Sequence, residues 1–220
     1  MAPTSIDGNE ITGATIDGQD VSEITVDGQT VFTAIPDSVV DSFEDGDVSD
    51  WINVNGTNLE AVQTSDNGAS APEGDWMSRS AMVGGSNSNN YLDISPITPT
   101  ELYCVVRAEN HSDSFDDFRI QWQNGGTQVI TVILDATGDG AFEINGTVTS
   151  VTAVTDEFYE LYLKDIDFGA ETVGSFEVDG TEAASDVAFN NSASEIDRLR
   201  IDQTGNGDAE GYSDNHRYSE

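Results

Sequence analysis

The segments "ELYCVVRAEN" (residues 101–110) and "DFRIQW" (residues 117–122) carry the alternation that predicts the fold. Every second residue in each segment is apolar, and in an extended chain such residues share one side. Each segment is therefore predicted to be a β-strand with one face in a core. The apolar residues predicted to face that core are Leu102, Cys104 and Val106 in the first segment and Phe118, Ile120 and Trp122 in the second.

Further strand-like segments follow, separated by turn residues, and no convincing helical pattern accompanies them. They are "TQVITVIL", "FEINGTVTSVTAV", "FYELYLKDIDF", "VGSFEVDG" and "IDRLRID". Many short strands without helices are typical of a two-sheet sandwich. We therefore predict an all-β protein with a two-sheet jelly roll over residues 37–220. The single cysteine, Cys104, is expected to be a small buried apolar residue.

The first 36 residues have a different pattern, in which an apolar residue followed by Asp-Gly occurs three times, at positions 6–8, 16–18 and 26–28. Asp-Gly between β-branched residues is a strong hairpin signal. We predict a β-meander over residues 1–36 that is too small to bury a core alone, so its apolar face must be covered by a partner chain, a neighbouring copy or the main domain. Its predicted assembly residues are Ile6, Ile11, Ile16, Val21, Val26 and Val31.

The composition is strongly acidic, with 42 Asp and Glu against 7 Lys and Arg and a net charge of −35. Concentrated salt screens repulsion between surface carboxylates, which favours a halophilic source. The charge argues against nucleic-acid and anionic membrane partners. No apolar run approaches the roughly 20 residues of a membrane span, and the start lacks the pattern of a signal peptide.

The segment "DSFEDGDVSDW" (residues 41–51) resembles the first strand of concanavalin A-like, laminin G-like jelly rolls. "EFYELYLKDIDF" resembles the central strand of that family, "GSFEVDGTEA" its hairpin and "GYSDNHRYSE" its closing strand. The resemblance implies a lectin-like jelly roll over about residues 38–220.

The Asp-Gly repeat is similar to short β-repeats in tail and capsid-decorating proteins of haloarchaeal tailed viruses. This resemblance implies a virion structural protein, such as a capsid decoration, turret, tail or fibre protein, in which residues 1–36 act as an anchor or oligomerisation element. Its expected location is the virion, assembled in the host cytoplasm. Its expected partners are other virion proteins, copies of itself and host-surface glycan.

Catalysis is not expected. Laminarinase-type glycosidases of this fold carry on one strand a Glu, an Asp two residues later and a second Glu two or three residues beyond, and the two glutamates are catalytic. The segment "SEIDRLRI" has Glu195 and Asp197 in the first two places but Arg198 and Arg200 where the second Glu should stand. The arginines are expected to pair with neighbouring acids. The histidines, His111 and His216, lie far from any nucleophile elbow, and no zinc spacing or phosphate-binding loop occurs.

Two binding sites remain as hypotheses. By resemblance to jelly-roll binding modules, Glu44 near the first strand and Asp214 in the last are expected to hold a structural Ca²⁺; no other cofactor is expected. Trp76 lies in the loop-like segment "EGDWMSRS" and is the predicted platform for stacking a sugar.

Four Asn-x-Ser/Thr sequons stand at Asn55, Asn110, Asn145 and Asn190, and the sequence alone leaves their glycosylation open. The leading hypothesis is a non-enzymatic virion protein of a haloarchaeal virus that is anchored by its β-repeat and projects a jelly roll. The alternative is a carbohydrate-binding module of a haloarchaeal cell-surface or extracellular protein.

Overall fold

A computed structural model describes Pro36 and residues 38–54, 59–82, 87–112, 116–135, 140–205 and 208–220, together with strand backbone between residues 5 and 33. The chain forms two compact units, Met1–Pro36 and Asp37–Glu220. No helix long and apolar enough to cross a membrane occurs in these described parts.

The first unit contains three antiparallel hairpins, and the Asp-Gly pairs at 7–8, 17–18 and 27–28 lie between their strands. The register pairs Ile6 with Asn9, Ile16 with Gln19 and Val26 with Gln29, which agrees with the predicted hairpins. Within the described residues each hairpin is a separate two-stranded sheet, so the predicted continuous meander is not seen. The strands are β1 (Ser5–Ile6), β2 (Asn9–Glu10), β3 (Thr15–Ile16), β4 (Gln19–Asp20), β5 (Glu23–Val26) and β6 (Gln29–Thr33).

Of the predicted assembly residues, Ile6, Ile16, Val26 and Val31 belong to these strands. Ile11 and Val21 lie outside the described residues. Their role in assembly stays a prediction.

The second unit is a sandwich of two antiparallel sheets, and the first of these has eight strands in the order β19-β18-β17-β12-β21-β10-β9, with β7 also paired to β21. The closing strand β21 therefore lies in the middle of this sheet. Its strands are β7 (Ser38–Asp41), β9 (Leu59–Val62), β10 (Met77–Ala81), β12 (Glu101–Glu109), β17 (Phe158–Asp167), β18 (Thr172–Val178), β19 (Thr181–Ala188) and β21 (Glu210–Ser219).

The second sheet has seven strands in the order β16-β15-β14-β13-β20-β11-β8. Its strands are β8 (Ile52–Asn53), β11 (Ser88–Ile97), β13 (Asp117–Asn124), β14 (Thr127–Asp135), β15 (Ala141–Ile144), β16 (Thr147–Thr152) and β20 (Ile196–Thr204). "FEINGTVTSVTAV", expected to be one strand, is the hairpin β15–β16. Asn145 and Gly146 both have positive φ, at 49° and 78°, which is the backbone that a two-residue hairpin turn requires.

The core lies between the sheets, as the alternation predicts. Leu102, Cys104 and Val106 of β12 meet Phe118, Ile120 and Trp122 of β13 there, and all six are at most 2% exposed. The residues that alternate with them point away from the core, so each sheet also has an outer face. The two-sheet antiparallel sandwich predicted from the sequence is confirmed.

Candidate functional site

The residues predicted to bind calcium, Glu44 and Asp214, both contact the segment that precedes β10. The Glu44 carboxylate accepts hydrogen bonds from the backbone amides of Asp75 (2.8 Å) and Trp76 (3.3 Å). Asp214 Oδ2 accepts one from the backbone amide of Glu73 (3.3 Å). The fold thus brings together two carboxylates that are far apart in the sequence.

Asp214 is the less fully hydrogen-bonded of the two carboxylates. Its Oδ1 is buried and has no hydrogen-bond partner among the residues that the structure describes. The pKa of Asp214 is raised to about 7, mainly by burial and also by the nearby carboxylates of Glu44 and Glu73.

These residues fit a calcium ion only in part. Glu44 is occupied by backbone amides, whereas Asp214 Oδ1 is a buried oxygen that a cation could satisfy. In the part of the chain that the structure describes, no group of three or more Asp, Glu, His or Cys side chains is arranged to hold a metal ion. Calcium binding stays a prediction.

Trp76, the predicted sugar platform, is half-buried rather than free in a loop. It packs against the core cluster, and its ring lies against Gly46, where a Cβ atom would come within 3.0 Å of it. Glu44 anchors its backbone, so the ring is part of the packing around residues 44–46. Its role in sugar binding stays a prediction, with less free surface than the sequence suggested.

Residues 63–76, here called the covering segment, lie over the outer face of the first sheet. The Asp66 amide donates to the Tyr212 hydroxyl (3.2 Å), and the Asn67 amide donates to Glu109 Oε1 (2.8 Å). Tyr103, also on this face, donates its hydroxyl to Glu73 (3.3 Å). Polar groups of this face are therefore engaged by the protein's own chain.

A cavity of about 440 Å³ lies beside β7 and β11. Its walls include five aspartates, but three of them are used in local turns. Asp45 accepts from the Asp47 amide, Asp47 accepts from Ser49, and Asp41 accepts from Trp51 Nε1 (2.6 Å). Since these carboxylates stabilise their own loop, the cavity offers little for specific recognition.

The outer face of the second sheet carries three arginines, each paired with an aspartate of the same sheet. Strand pairing places Gln121 opposite Arg200, Arg119 opposite Asp202 and Tyr91 opposite Arg200. We call this surface the arginine face and define it by Asn89, Tyr91, Asp93, Arg119, Gln121, Gln123, Arg198, Arg200 and Asp202.

The floor of the arginine face is a chain of directed hydrogen bonds. Gln123 donates to Gln121 (2.8 Å), Gln121 donates to Asp202 (2.9 Å), and Arg200 donates to Asp202 (2.7 Å) and to Asn89 (3.1 Å). Gln121, Gln123 and Asp202 are at most 3% exposed. Burial raises the pKa of Asp202, while its hydrogen bond from Arg200 acts in the opposite direction.

Above this floor, the arginine side chains reach solvent. Arg198 lies over the ring of Tyr91, with its Cζ 3.8 Å from the ring centre, and donates from Nε to Asp93 (2.7 Å). Arg119 donates to Asp117 (2.5 Å), while its buried Nε has no partner. The prediction that Arg198 and Arg200 pair with neighbouring acids is confirmed.

The strand that resembled a glycosidase strand is β20. Asp197 accepts a hydrogen bond from the Gly125 amide (2.8 Å), and the outward residues that follow are Arg198, Arg200 and Asp202. The histidines lie elsewhere and are buried, and burial lowers the pKa of His216 to about 3.

The sequence singled out Arg198 and Arg200 but did not identify the arginine face. Its other members come from β11 and β13, about 75 to 110 positions away in the chain. Only strand alternation was available as a signal, and alternation gives the face of a residue without giving its cross-strand neighbours.

No protein-family model and no curated protein matches this chain. Among solved structures, it is similar to a sialidase (TM-score 0.58, 12% identity), with 84% of this chain and 19% of that chain covered. The chain therefore spans about a fifth of the sialidase. It is also similar to a Bacillus licheniformis β-glucanase (0.52, 10%, covering 81% and 96%) and to the apo form of the transglycosylase Crh5 (0.51, 13%, covering 86% and 88%).

The fold is a concanavalin A-like jelly roll. At this level of identity the likeness shows the fold and leaves the function open. The comparisons give no support to the predicted virion role.

Proposed function

We propose that the jelly roll is a non-catalytic glycan-binding domain and that the arginine face contacts the sugar. The observation that carries this proposal is the fixed hydrogen-bond floor beneath arginines that still reach solvent. Between a quarter and about a third of each arginine side chain is exposed, at 25% for Arg198, 30% for Arg200 and 34% for Arg119.

The chemistry of the face suits hydroxyl groups. Guanidinium and amide groups donate, carboxylates accept, and both kinds stand side by side along β13 and β20. Tyr91 and Arg198 add a stacked flat pair beside them. Because neighbouring strands already hold the floor in place, binding would order few further side chains, which favours affinity.

The charge of the face favours an uncharged glycan. Arg119, Arg198 and Arg200 are each paired with an aspartate, so the local charges balance within a chain of net charge −35. An anionic sugar would compete with these aspartates for the guanidinium groups. A neutral sugar can bond to both partners of each pair.

The test is binding to a panel of neutral and uronate-containing polysaccharides in about 3 M KCl, where surface repulsion is screened. For a neutral glycan that binds, Arg198→Ala is expected to weaken binding by about tenfold, since a hydrogen bond to a charged group contributes about 1.5 kcal/mol or more. Arg217→Ala is the matched control, because Arg217 lies on β21 in the other sheet and bonds to Asn215. Equal loss in both variants, or binding to no glycan, would contradict the proposal.

The domain is proposed to lack hydrolytic activity, because arginines stand where β20 would need its second carboxylate. Incubation with soluble β-glucans, read by reducing-end release, is expected to give no product. Sustained release that disappears in Asp202→Asn would show that the site is catalytic.

A virion role is a second candidate, and the three Asp-Gly hairpins of the first unit are the feature that favours it. They are proposed to mediate assembly with copies of the chain or with other virion proteins. Light scattering in about 3 M salt, where charges are screened, would compare the full chain with residues 36–220. A full chain that forms a defined oligomer and becomes monomeric on truncation would support assembly by the hairpins. If both the full chain and residues 36–220 are monomeric, assembly by the hairpins is contradicted.

A further inference from the structure

The structure describes three of the four Asn-x-Ser/Thr sequons, those at Asn110, Asn145 and Asn190, and their side chains differ in availability. N-glycosylation joins the side-chain Nδ2 atom to a sugar carbon. Glycosylation replaces one of the two Nδ2 hydrogens and places a bulky sugar beside the other, so an asparagine whose Nδ2 is bonded inside the protein has less room for a glycan. The hydrogen bonds of each sequon therefore indicate which asparagine can be modified in the folded protein.

Asn145 is held at both ends of its amide group. Its Oδ1 accepts from the Thr131 backbone amide (2.8 Å), and its Nδ2 donates to the Ala188 carbonyl (2.8 Å). These bonds join the β15–β16 turn to β14 and to the end of β19 in the other sheet. A glycan on Nδ2 would crowd the Ala188 carbonyl, which this amide already contacts.

Asn190 is also engaged, although by a single side-chain bond. Its Nδ2 donates to Thr131 Oγ1 (3.1 Å), and its backbone amide donates to the Val129 carbonyl (2.8 Å). The next residue, Asn191, donates its Nδ2 to the Gln128 carbonyl (2.8 Å). Asn190 is exposed, but its segment is bonded along β14 and its side-chain amide is engaged by Thr131.

Asn110 differs from the other two sequons in its side-chain hydrogen bonds. It directly follows β12, is exposed, and has a positive φ of 58° that turns the chain out of the sheet. Within the described residues, no hydrogen bond holds its side-chain amide.

The neighbours of Asn110 hold this turn in place. His111 is 5% exposed, and its Nε2 lies 3.3 Å from Gln203 Oε1. The Ser112 amide donates to Asp116 Oδ2 (2.8 Å). The sequon is therefore anchored at its second and third residues, with its first residue free at the surface.

We propose that Asn110 is the acceptor of an N-linked glycan in the folded protein. The donor class is a lipid-linked oligosaccharide, bound through phosphate. The Asn110 Nδ2 atom forms a bond to the first sugar carbon, the bond from that carbon to the phosphate oxygen breaks, the lipid phosphate leaves, and Nδ2 gives up one proton. This site is independent of the arginine face and of the proposed sugar binding.

The test uses the purified full chain in high salt. The chain carries Asn55→Gln, so that the sequon outside the described residues cannot be glycosylated. The chain is incubated with an archaeal oligosaccharyltransferase and a lipid-linked oligosaccharide, and peptides are mapped by mass spectrometry. The expected result is the oligosaccharide mass on the Asn110 peptide alone, lost in Asn110→Gln and in Ser112→Ala.

A heat-unfolded sample of the same chain is the control for access. All three remaining sequons are expected to accept the oligosaccharide there, because unfolding releases the amides of Asn145 and Asn190. Transfer to Asn145 or Asn190 in the folded chain would overturn the inference. Failure of Asn110 to accept in the folded chain would also overturn it, whether or not the unfolded sample is modified.

Discussion

The outer faces of the two sheets differ in what satisfies their polar groups. On the first sheet, the covering segment supplies backbone amides to Glu109, Tyr212 and Asp214. On the arginine face, the hydrogen bonds of Asp202 and Arg200 run sideways between neighbouring strands. The covering segment thus satisfies part of the first face through backbone amides, whereas the described bonds of Asp202 and Arg200 on the arginine face join side chains.

The largest effect is expected from removing the centre of the arginine-face floor. Asp202→Ala leaves the donors of Gln121 and Arg200 unpaired at a site that is 3% exposed. The free energy of unfolding should fall by about 3 kcal/mol, measured by denaturant unfolding in high salt.

Asp93→Ala is the matched control for this change, because Asp93 also pairs with an arginine but its side chain is 56% exposed. It should cost less than about 1 kcal/mol. Equal effects of the two substitutions would mean that the floor is not a fixed structure.

Glu44→Ala should loosen the covering segment on the first sheet. The substitution removes the acceptor for the backbone amides of Asp75 and Trp76. A loss of about 2 kcal/mol is expected, together with faster hydrogen exchange in residues 73–76. The control is Glu182→Ala on the edge strand β19, where little change is expected. Unchanged exchange in residues 73–76 would show that Glu44 does not hold the covering segment.

The pH dependence of stability should report on Asp214. Its pKa is raised from 3.8 to about 7 by burial and by nearby carboxylates, so the folded state binds its proton more tightly than the unfolded state. This contribution is fully present below the unfolded pKa and is lost as the pH rises through about 7. Between about pH 5.5 and pH 8.5 the loss should approach 2 kcal/mol.

Asp214→Asn should flatten this dependence, since the amide does not titrate. Unfolding free energies of the original chain and the variant across that pH range provide the measurement. A chain that becomes more stable with rising pH through 7 would contradict the assignment to Asp214.

The smallest effect is expected from calcium at Glu44 and Asp214. If Ca²⁺ satisfies Asp214 Oδ1, it should stabilise the chain at pH 8.5 by about 1.4 kcal/mol at ten times its Kd. Calorimetric titration with and without Asp214→Asn tests this. The absence of any heat of binding and of any shift in Tm would contradict calcium binding at Asp214.

The sequence predicted the parts of the fold that depend on local pattern. The alternation of Leu102 to Val106 and of Phe118 to Trp122 gave the core faces of β12 and β13 because the side-chain period of a strand is two residues. The alternation within "FEINGTVTSVTAV" indicates a strand, but Asn145 and Gly146 form a turn that divides the segment into β15 and β16. Asn-Gly is itself a strong hairpin signal, so this turn is also local information.

The candidate site was only partly predictable. Glu44 and Asp214 were paired by resemblance, and the fold places both on residues 73–76. Trp76 was expected to be free because its neighbours are polar, but its packing against Gly46 depends on a contact 30 positions away. Local polarity carries no information about such a contact.

The sequence by itself determined the class of fold, the two-part organisation of the chain and the strong negative charge, because these follow from local periodicity and composition. Only the tertiary structure decided which polar residues meet. The register of β20 between β11 and β13 places Arg200 beside Gln121 and Asn89, and the path of residues 63–76 closes one face while the other stays open. Register and loop path depend on pairing between distant strands, so no short stretch of sequence encodes them.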